Sequence, residues 1–248
     1  MADSIKRVAI VTGASRGIGK AIALRLARDG RHVVLMARSE GPLNDLKAQI
    51  EANGGSASVA VADVSDAKAL AAAIEKVAEQ HGRLDILVNN AGITKDNLAL
   101  RMSDEDWDAV VDTNLKSAFV ASRAAARPMM KGRFGRIVNI ASTSGLVGNA
   151  GQANYAAAKA GLLGLSKTFA RELGSKGVTC NVVAPGYIQT DMTENLPEEI
   201  KGKISEMIAV KRLGTVEDIA AAVAYATSDE AGFFTGQTIT VDGGMTMV

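Results

Sequence analysis

The sequence has few of the residues that build disulfide scaffolds, flexible linkers or membrane spans. One cysteine in 248 residues, Cys180, excludes a disulfide within the chain. The hydrophobic runs fall far short of the roughly 18 consecutive apolar residues that span a bilayer, and no secretory leader pattern stands at the N-terminus. Four prolines occur, and no Pro/Ser-rich linker divides the chain. We therefore expect a cytoplasmic protein that forms one domain over residues 1–248 and has no membrane partner.

Positive and negative charges nearly balance in the sequence, and aromatic residues are scarce. The 28 Lys and Arg residues balance 27 Asp and Glu residues, so the formal net charge is +1. Such a chain has no overall field that attracts nucleic acid. Aromatic residues make up 4% of the sequence, too few to interleave with basic residues along a nucleic-acid groove. We expect no nucleic-acid partner, and any charged partner must meet a local patch.

The sequence alternates short β-branched runs with longer segments of helical periodicity. The predicted strands are Val8–Val11, His32–Met36, Ser58–Ala62, Leu84–Val88, Arg136–Ile140, Gly177–Val183 and Gln237–Val241. The predicted helices are one that carries Ile18, Ile22 and Leu26, then Leu43–Asn53, Asp66–Gln80, Ser103 to about Arg127 with a stop at Pro128, Gln152–Leu173 and about Val216–Thr227. Parallel strands need crossover helices, which cover both faces of a sheet. The pattern predicts a doubly wound, Rossmann-type α/β fold with a parallel sheet of about seven strands.

A glycine-rich turn follows the first predicted strand, with the sequence Thr12-Gly13-Ala14-Ser15-Arg16-Gly17-Ile18-Gly19. Glycines at these positions let the backbone approach a pyrophosphate, which the N–H groups and dipole of the next helix would bind. The glycines could also serve only the geometry of a tight turn. Because the turn occupies the first strand-to-helix connection of an open sheet, where dinucleotides bind, we interpret it as a nucleotide site.

The end of the second strand indicates which dinucleotide is bound. In this fold an acid about 20 residues after the glycine turn takes the ribose hydroxyls of NAD, whereas an arginine there accommodates the 2′-phosphate of NADP. Arg38 stands at this position, and Arg16 in the glycine turn could hold the same phosphate. Glu40 is the alternative, although an acid beside Gly41 and Pro42 is typical of an exposed helix start. We therefore expect NADP as the cofactor.

Five elements in order along the chain together resemble the short-chain dehydrogenase/reductases. They are the glycine turn, Asn89-Asn90-Ala91-Gly92, Ser142, Tyr155-Ala156-Ala157-Ala158-Lys159 and Pro185-Gly186. The segments most similar to the 3-oxoacyl-[acyl-carrier-protein] reductases of this family are Gly135–Asn139, Gly151–Gly161, Thr190-Asp191-Met192 and Val241–Met245. The resemblance covers nearly the whole chain. It implies an NADPH-dependent enzyme that reduces 3-oxoacyl groups on acyl carrier protein to 3-hydroxyacyl groups in fatty-acid synthesis.

Tyr155 and Lys159 are four residues apart, so in a helix both side chains project from one face. A cation near a phenol lowers the phenol pKa, and we expect Lys159 to lower the pKa of Tyr155. Tyr155 would then protonate the alkoxide that develops when hydride reaches the ketone carbon. The resemblance implies that Ser142 holds the carbonyl oxygen, that Lys159 also binds the nicotinamide ribose, and that Asn114 anchors a water on the proton path. Taken singly, each residue could instead be an ordinary core, cap or surface side chain.

The resemblance also implies cofactor contacts after the third, fourth and sixth strands. They are Asp63 and Val64 for the adenine, Asn90 for the adenosine ribose, and Ile188 for the nicotinamide amide. The resemblance implies further cofactor contacts from Ala91, Gly92, Pro185 and Gly186. Residues 89–92 could instead serve mainly to stabilise the centre of the sheet, through hydrogen bonds from side chains to backbone. No spacing of His, Cys, Asp or Glu indicates a metal site.

Residues 186–211 form the one irregular stretch of the sequence, which is typical of a lid over a ligand. Most of its apolar residues are spaced three or four apart, and they could close over an acyl chain or form the core of the lid itself. They are Met192, Leu196, Ile200, Ile204, Met207 and Ile208.

An acidic carrier protein would need a local basic patch. Lys131, Arg133 and Arg136 around the fifth strand form the densest basic cluster, and Lys176 could join them. The resemblance implies that Arg133 and Lys176 dock the carrier and that the chain forms a homotetramer, although short basic clusters often serve solubility alone. Two other functions stay open: a carbonyl reductase of acetoacetyl-coenzyme A or another ketone, and a non-catalytic NADP sensor. Sensors of this kind usually lack the tyrosine or the lysine, and both are present here.

Overall fold

The computed structural model describes residues 6–190 and 198–247, in which seven parallel strands form one sheet. The strands are β1 (Val8–Thr12), β2 (His32–Ala37), β3 (Ser56–Val61), β4 (Ile86–Asn89), β5 (Gly135–Ile140), β6 (Val178–Pro185) and β7 (Thr238–Val241). Their spatial order is β3-β2-β1-β4-β5-β6-β7, and every neighbouring pair is parallel. The order reverses between β1 and β4, which is where ligands bind in open sheets of this type. The predicted doubly wound α/β fold is confirmed.

Helices cover both faces of the sheet, as continuous apolar strands require. They are α1 (Gly17–Arg28), α2 (Glu40–Ala52), α3 (Ala67–His81), α4 (Asp104–Val111), α5 (Ser117–Gly132), α6 (Ser144–Val147), α7 (Ala153–Leu173), α8 (Glu198–Met207) and α9 (Val216–Ala226). Successive strand residues point to opposite faces, so Ala9 packs with α1, α2 and α9, whereas Ile10 packs with α3, α5 and α7. No helix among the described residues is long and apolar enough to cross a membrane.

The predicted helical segment from Ser103 forms, but it neither stays regular nor stops at Pro128. After α4 the backbone makes a π-helical turn over Asp112–Lys116, and α5 then continues through Pro128 to Gly132. Proline removes one backbone hydrogen bond, yet the next residue, Met129, is completely buried in the core, and this burial offsets part of the cost. Arg133, in the left-handed conformation at φ 54°, ends the helix instead. The predicted stop at Pro128 is therefore wrong.

The segment predicted as an irregular lid, residues 186–211, contains the helix α8. Of its apolar residues, Ile208 is buried, Ile204 is half-buried and Met207 is exposed. Met192 and Leu196 lie outside the described residues, as does part of the Thr190-Asp191-Met192 motif, and the side chain of Ile200 is not described. Closure of this segment over an acyl chain stays a prediction.

Candidate active site

Three elements bring the predicted catalytic residues to the carboxyl edge of the sheet. Ser142 follows β5, while Tyr155 and Lys159 lie one helical turn apart near the start of α7. Asn114 lies in the π-helical turn between α4 and α5. The turn after β1 opens at the same edge, because all seven strands run parallel.

Tyr155 and Ser142 face each other across the carboxyl end of β5. Hydrogen bonding from the Ser142 hydroxyl favours the phenolate of Tyr155, but burial of the phenol opposes this more strongly, and the negative charge of Asp96 acts in the same direction as burial. The net result is a raised pKa for Tyr155. Tyr155 is therefore a protonated phenol at neutral pH, which is the form that donates a proton to an alkoxide.

Lys159 is a buried cation, 4% exposed, beneath the Tyr155 ring. Its Nζ donates to the Ile140 carbonyl oxygen at 2.7 Å and lies 5.5 Å from the centroid of the Tyr155 ring. Burial lowers the pKa of Lys159 to about 8, because desolvation disfavours the ammonium form. The expected lowered pKa of Tyr155 is wrong for this structure, because burial of the phenol dominates and leaves its net pKa raised.

The π-helical turn places the side chain of Asn114 against the loop after β4. Asn114 Oδ1 accepts from the Ile93 N–H at 2.8 Å, and Nδ2 donates to the Ile93 carbonyl at 2.9 Å. A Cβ on Gly92 would lie 3.1 Å from Asn114 Oδ1 and 3.6 Å from Lys159 Nζ, so both side chains border this glycine. Such π-turns are frequent at functional sites. The structure thus brings Asn114 to the site and gives its side chain a backbone-bracing role, while water anchoring stays a prediction.

The glycine turn leaves the start of α1 open to an anion. Gly13 and Gly17 have φ values of 65° and 52°, which residues with a Cβ rarely adopt. A Cβ on Gly19 would clash with the Gly13 carbonyl oxygen, so this glycine permits the close approach of helix and turn. Among the described residues no side chain caps α1, and its first turn contains no acid. Its first N–H groups therefore fit a pyrophosphate.

Asn90 and Thr12 tie the glycine turn to the end of β4. Thr12 Oγ1 accepts from the N–H groups of Asn90 at 3.0 Å and Ala91 at 3.1 Å, and Asn90 Nδ2 donates to the Thr12 carbonyl at 2.9 Å. Asn89 bonds Asn139 Oδ1 at 2.8 Å inside the sheet. These contacts support the alternative that residues 89–92 stabilise the sheet centre, and the ribose contact of Asn90 stays a prediction. The bracing role of Thr12 has no signal in the sequence, because it depends on the neighbouring strand.

The residues expected to choose the dinucleotide lie at the ends of β2 and β3. Arg16 and Arg38 are exposed, and neither forms an ion pair within the described part of the chain. The positive charge of Arg38 contributes to the lowered pKa of Asp63, behind the hydrogen bonds from Ser65 that are its main cause. Glu40 is exposed in the first turn of α2, as expected of a helix-start residue. Two exposed cations, Arg16 and Arg38, and the carboxylate of Asp63 thus follow β1, β2 and β3, while the binding of an adenosine by these residues stays a prediction.

The contacts predicted after β6 are built on tightly packed backbone. A Cβ on Gly186 would lie 2.6 Å from the Cβ of Asp242, so a larger residue would displace the C-terminal segment. Ile188 is buried and pairs with Gly214 in an isolated parallel bridge. Pro185 ends β6 at the same edge as Ser142, consistent with a nicotinamide at this point. The contacts themselves stay predictions.

The basic residues predicted to dock a carrier protein lie at the opposite, amino edge of the sheet. Arg133 ends α5 just before β5, Lys176 precedes β6, and both are exposed. Their turns touch, because Gly135 N donates to the Gly177 carbonyl at 3.2 Å. The six residues of β5 separate this edge from Ser142 by about 20 Å. Arg133 and Lys176 are thus brought to each other but not to the active site of the same chain.

Arg136 does not belong to this exposed basic cluster. It is 4% exposed, its guanidinium stacks on the Phe134 ring at 4.2 Å, and its Nε donates to the Ser228 carbonyl at 3.0 Å. The second residue of a strand in a parallel sheet is covered by its neighbours, so the expectation that Arg136 offers charge to a partner is wrong.

Two residues near Tyr155 were missed by the sequence reasoning. Asp96 follows β4 and acts on the Tyr155 charge, and its Oδ2 accepts from Gln152 Nε2 at 3.0 Å. The sequence could have pointed to Asp96, because a carboxylate in the loop after a central strand lies at the edge where ligands bind. No such signal in the sequence points to Gln152, because its contact with Asp96 joins residues 56 positions apart.

Comparison with known proteins identifies the family. A family model described as "Enoyl-(Acyl carrier protein) reductase" matches residues 13–246. The chain is 50% identical over 242 residues to the 3-oxoacyl-[acyl-carrier-protein] reductase FabG of Escherichia coli strain K12, with 98% of each chain covered. It is 50% identical over 243 residues to the 3-oxoacyl-[acyl-carrier-protein] reductase of a Synechocystis strain, covering 97% of each chain. The FabG protein of Staphylococcus aureus strain Mu50 is 49% identical over 240 residues, covering 96% of this chain and 98% of that protein. The chain therefore belongs to the short-chain dehydrogenase/reductases, a family of nicotinamide-dependent oxidoreductases, as its motifs predicted.

Proposed function

We propose that this protein reduces the ketone of a 3-oxoacyl thioester on acyl carrier protein to the 3-hydroxyacyl group in fatty-acid synthesis, with NADPH as the hydride donor. The observation that carries the proposal is the grouping of Ser142, a protonated Tyr155 and the buried cation Lys159 at the same sheet edge as the glycine turn. The relatives that are about half identical over nearly the full chain, and that are named for this reaction, support it.

In this reaction NADPH, when bound, supplies hydride to the ketone carbon. The ketone oxygen then gains negative charge, and Ser142 stabilises that charge with a hydrogen bond. Tyr155 transfers its phenolic proton to the oxygen, which leaves an alcohol and a phenolate. The ammonium of Lys159, close beneath the ring, stabilises the phenolate by its charge. General acid catalysis of this kind typically contributes about 10²- to 10⁴-fold.

The remaining roles belong to the same proposal. Lys159 also holds the nicotinamide ribose, and Asn114 anchors a water through which Tyr155 regains its proton. The buried position of Asn114, next to Gly92 and Lys159, supports this role. The amide of the nicotinamide lies against residues 185–188.

Arg16 and Arg38 select NADPH by binding its 2′-phosphate. The support is their exposure, their freedom from ion pairs within the described residues, and the place of Glu40 inside a helix rather than at the end of β2. Asp63 and Val64 follow β3 and bind the adenine.

Arg133 and Lys176 dock the acidic carrier protein. Because these residues lie about 20 Å from Ser142 across the sheet, docking there would present the substrate to the active site of a second copy. This arrangement agrees with the homotetramer that the resemblance implied, which stays a prediction, as does the cytoplasmic location. Changing both residues to Glu should raise KM strongly for a carrier-bound substrate, most at low salt, and leave a free β-ketoester unaffected. Equal effects on both substrates would contradict the docking role.

The test of the proposed function is a set of steady-state rates with NADPH and with NADH. The substrates are acetoacetyl-carrier protein, acetoacetyl-coenzyme A, a simple β-ketoester and crotonyl-carrier protein. We expect the highest kcat/KM for acetoacetyl-carrier protein with NADPH. Preference for coenzyme A or the ester would identify a general carbonyl reductase, and preference for the crotonyl thioester an enoyl reductase. Cofactor binding without turnover of any substrate would identify an NADP sensor.

A further inference from the structure

Gln152, the residue before α7, connects the loop after β4 with the segment that carries Ser142. Its Nε2 donates to Asp96 Oδ2 at 3.0 Å, and its Oε1 accepts from Ser144 Oγ at 3.1 Å and from Asn149 Nδ2 at 3.0 Å. The side-chain amide thus has partners on both of its ends. It lies within one helical turn of Tyr155.

Ser144 transmits the position of Gln152 to Ser142. The Ser144 N–H donates to Ser142 Oγ at 3.2 Å, while the Ser144 hydroxyl donates to Gln152. An accepted hydrogen bond occupies one lone pair of the Ser142 oxygen, so its proton is directed elsewhere. That leaves the Ser142 proton available to the Tyr155 oxygen or to a ketone oxygen beside it.

Asp96 determines which end of the Gln152 amide faces Ser144. An ionised carboxylate only accepts hydrogen bonds, so it must receive the NH₂ end of the amide. The carbonyl end is then turned toward the two donors, Ser144 and Asn149. A second contact, from Asn97 N to the Gly151 carbonyl at 2.9 Å, holds the two segments at this spacing.

We infer that Asp96 and Gln152 are positioning residues for the reduction, which orient the Ser142 hydroxyl through Ser144. The inference rests on the proposed function, because it assigns the oriented hydroxyl to a ketone oxygen. Asp96 is exposed, and hydrogen bonds between exposed side chains contribute little to folding stability. Loss of these contacts should therefore reduce turnover without reducing stability.

The first experiment is a double-mutant cycle of Gln152→Ala and Ser144→Ala. Each single variant should lower kcat at least about tenfold, because small misplacements of reacting groups have effects up to about 10²-fold. The kcat of the double variant should lie within about threefold of the kcat of the less active single variant, since both substitutions break the same path to Ser142. KM for the ketone, Kd for NADPH and Tm should change little. Gln80→Ala, an exposed glutamine on α3, is the matched control.

The second experiment exchanges the acid and the amide. Gln152→Glu alone places two carboxylates within hydrogen-bonding distance and should lower kcat at least tenfold. Adding Asp96→Asn supplies an NH₂ donor to the new carboxylate, which still accepts from Ser144, so the combined variant should recover to within about threefold of the wild type. A purely structural role would not produce such rescue.

Three outcomes would overturn the inference: multiplicative losses in the Gln152→Ala and Ser144→Ala cycle, a raised KM with unchanged kcat in Gln152→Ala, or no rescue by the exchange. The second would show that Gln152 contacts substrate directly. Failure of the proposed function is separate, because it would appear as a wild-type protein that does not reduce the ketone.

Discussion

Buried charged side chains have different partners at the two edges of the sheet. At the amino edge the Asp85 carboxylate accepts from Nε and Nη2 of Arg83, both at 2.7 Å, and from the Val8 N–H at 2.8 Å. At the carboxyl edge Lys159 is equally buried, but it donates to a backbone carbonyl, and within residues 6–190 and 198–247 it forms no ion pair with a carboxylate. Breaking a buried charge pair destabilises a fold, whereas a buried cation with no counter-ion among the described residues is typical of a functional site. The comparison predicts activity losses at one edge and stability losses at the other.

The largest effect is expected at the carboxyl edge, from Tyr155→Phe. The ring still packs against its neighbours, but the proton donor is lost, so kcat should fall by about 10²- to 10⁴-fold while the Kd for NADPH stays within about twofold. Stopped-flow turnover and cofactor fluorescence titration measure the two quantities. Tyr225→Phe, which changes a half-exposed tyrosine on α9, is the matched control and should keep full activity. Retention of more than about a tenth of kcat would mean that another group supplies the proton.

At the amino edge, Asp85→Ala should have the reverse effect. It removes a carboxylate whose side chain is 4% exposed, and it leaves the buried Val8 N–H and the Arg83 guanidinium without that acceptor. We expect a loss of about 3 kcal/mol in the free energy of unfolding, measured by urea denaturation, with kcat unchanged below the transition. Asp229→Ala removes an exposed partner of Arg7 and should cost less than about 1 kcal/mol. A drop in kcat without loss of stability in Asp85→Ala would contradict the assignment of stability to the amino edge and activity to the carboxyl edge.

A smaller effect is expected from Arg38→Asp at the end of β2. Loss of a charge-assisted phosphate contact costs about 1.5 to 3 kcal/mol, so KM for NADPH should rise at least about tenfold while KM for NADH changes less. Arg28→Asp, at the amino-edge end of α1, is a control of the same charge change and should alter neither value. Equal effects of Arg38→Asp on both cofactors would instead favour recognition of a ribose diol by Glu40.

The smallest effect at a single condition is a loss of about half of the turnover at pH 8, which belongs to a dependence of kcat on pH. The lowered pKa of Lys159, about 8, means that its ammonium predominates below pH 8 and its neutral amine above it. Tyr155, with its raised pKa, stays protonated over this range. The kcat for reduction should therefore be constant at lower pH, reach half of that value near pH 8, and then fall about tenfold per pH unit.

Lys159→Arg sharpens this measurement, because a guanidinium stays charged at all accessible pH values. Whatever its absolute kcat, the variant should show no decline near pH 8. An unchanged decline would assign the titration to a different group.

Local patterns predicted much of the fold, and they failed where a tertiary contact opposed them. The strands and the alternation with helices were found because both faces of a parallel sheet are buried and the strands are apolar throughout. The stop at Pro128 was wrong because burial of Met129 carries α5 onward. The π-helical turn at Asn114 also went unpredicted, because its irregular hydrogen bonds bring Asn114 to Ile93, a residue far away in the chain.

The sequence by itself determined the doubly wound fold, the glycine turn and the Tyr155 and Lys159 pair, since each follows from local spacing and residue type. Only the tertiary structure decided the charge states of the site residues and their positions relative to one another. Burial raises the pKa of Tyr155 and lowers that of Lys159, and desolvation depends on which segments cover a side chain. The link from Asp96 through Gln152 to Ser142 joins residues 46 positions apart (142 minus 96). The separation of Arg133 and Lys176 from the site likewise arises from strand direction, which places residues before and after one strand at opposite edges of the sheet.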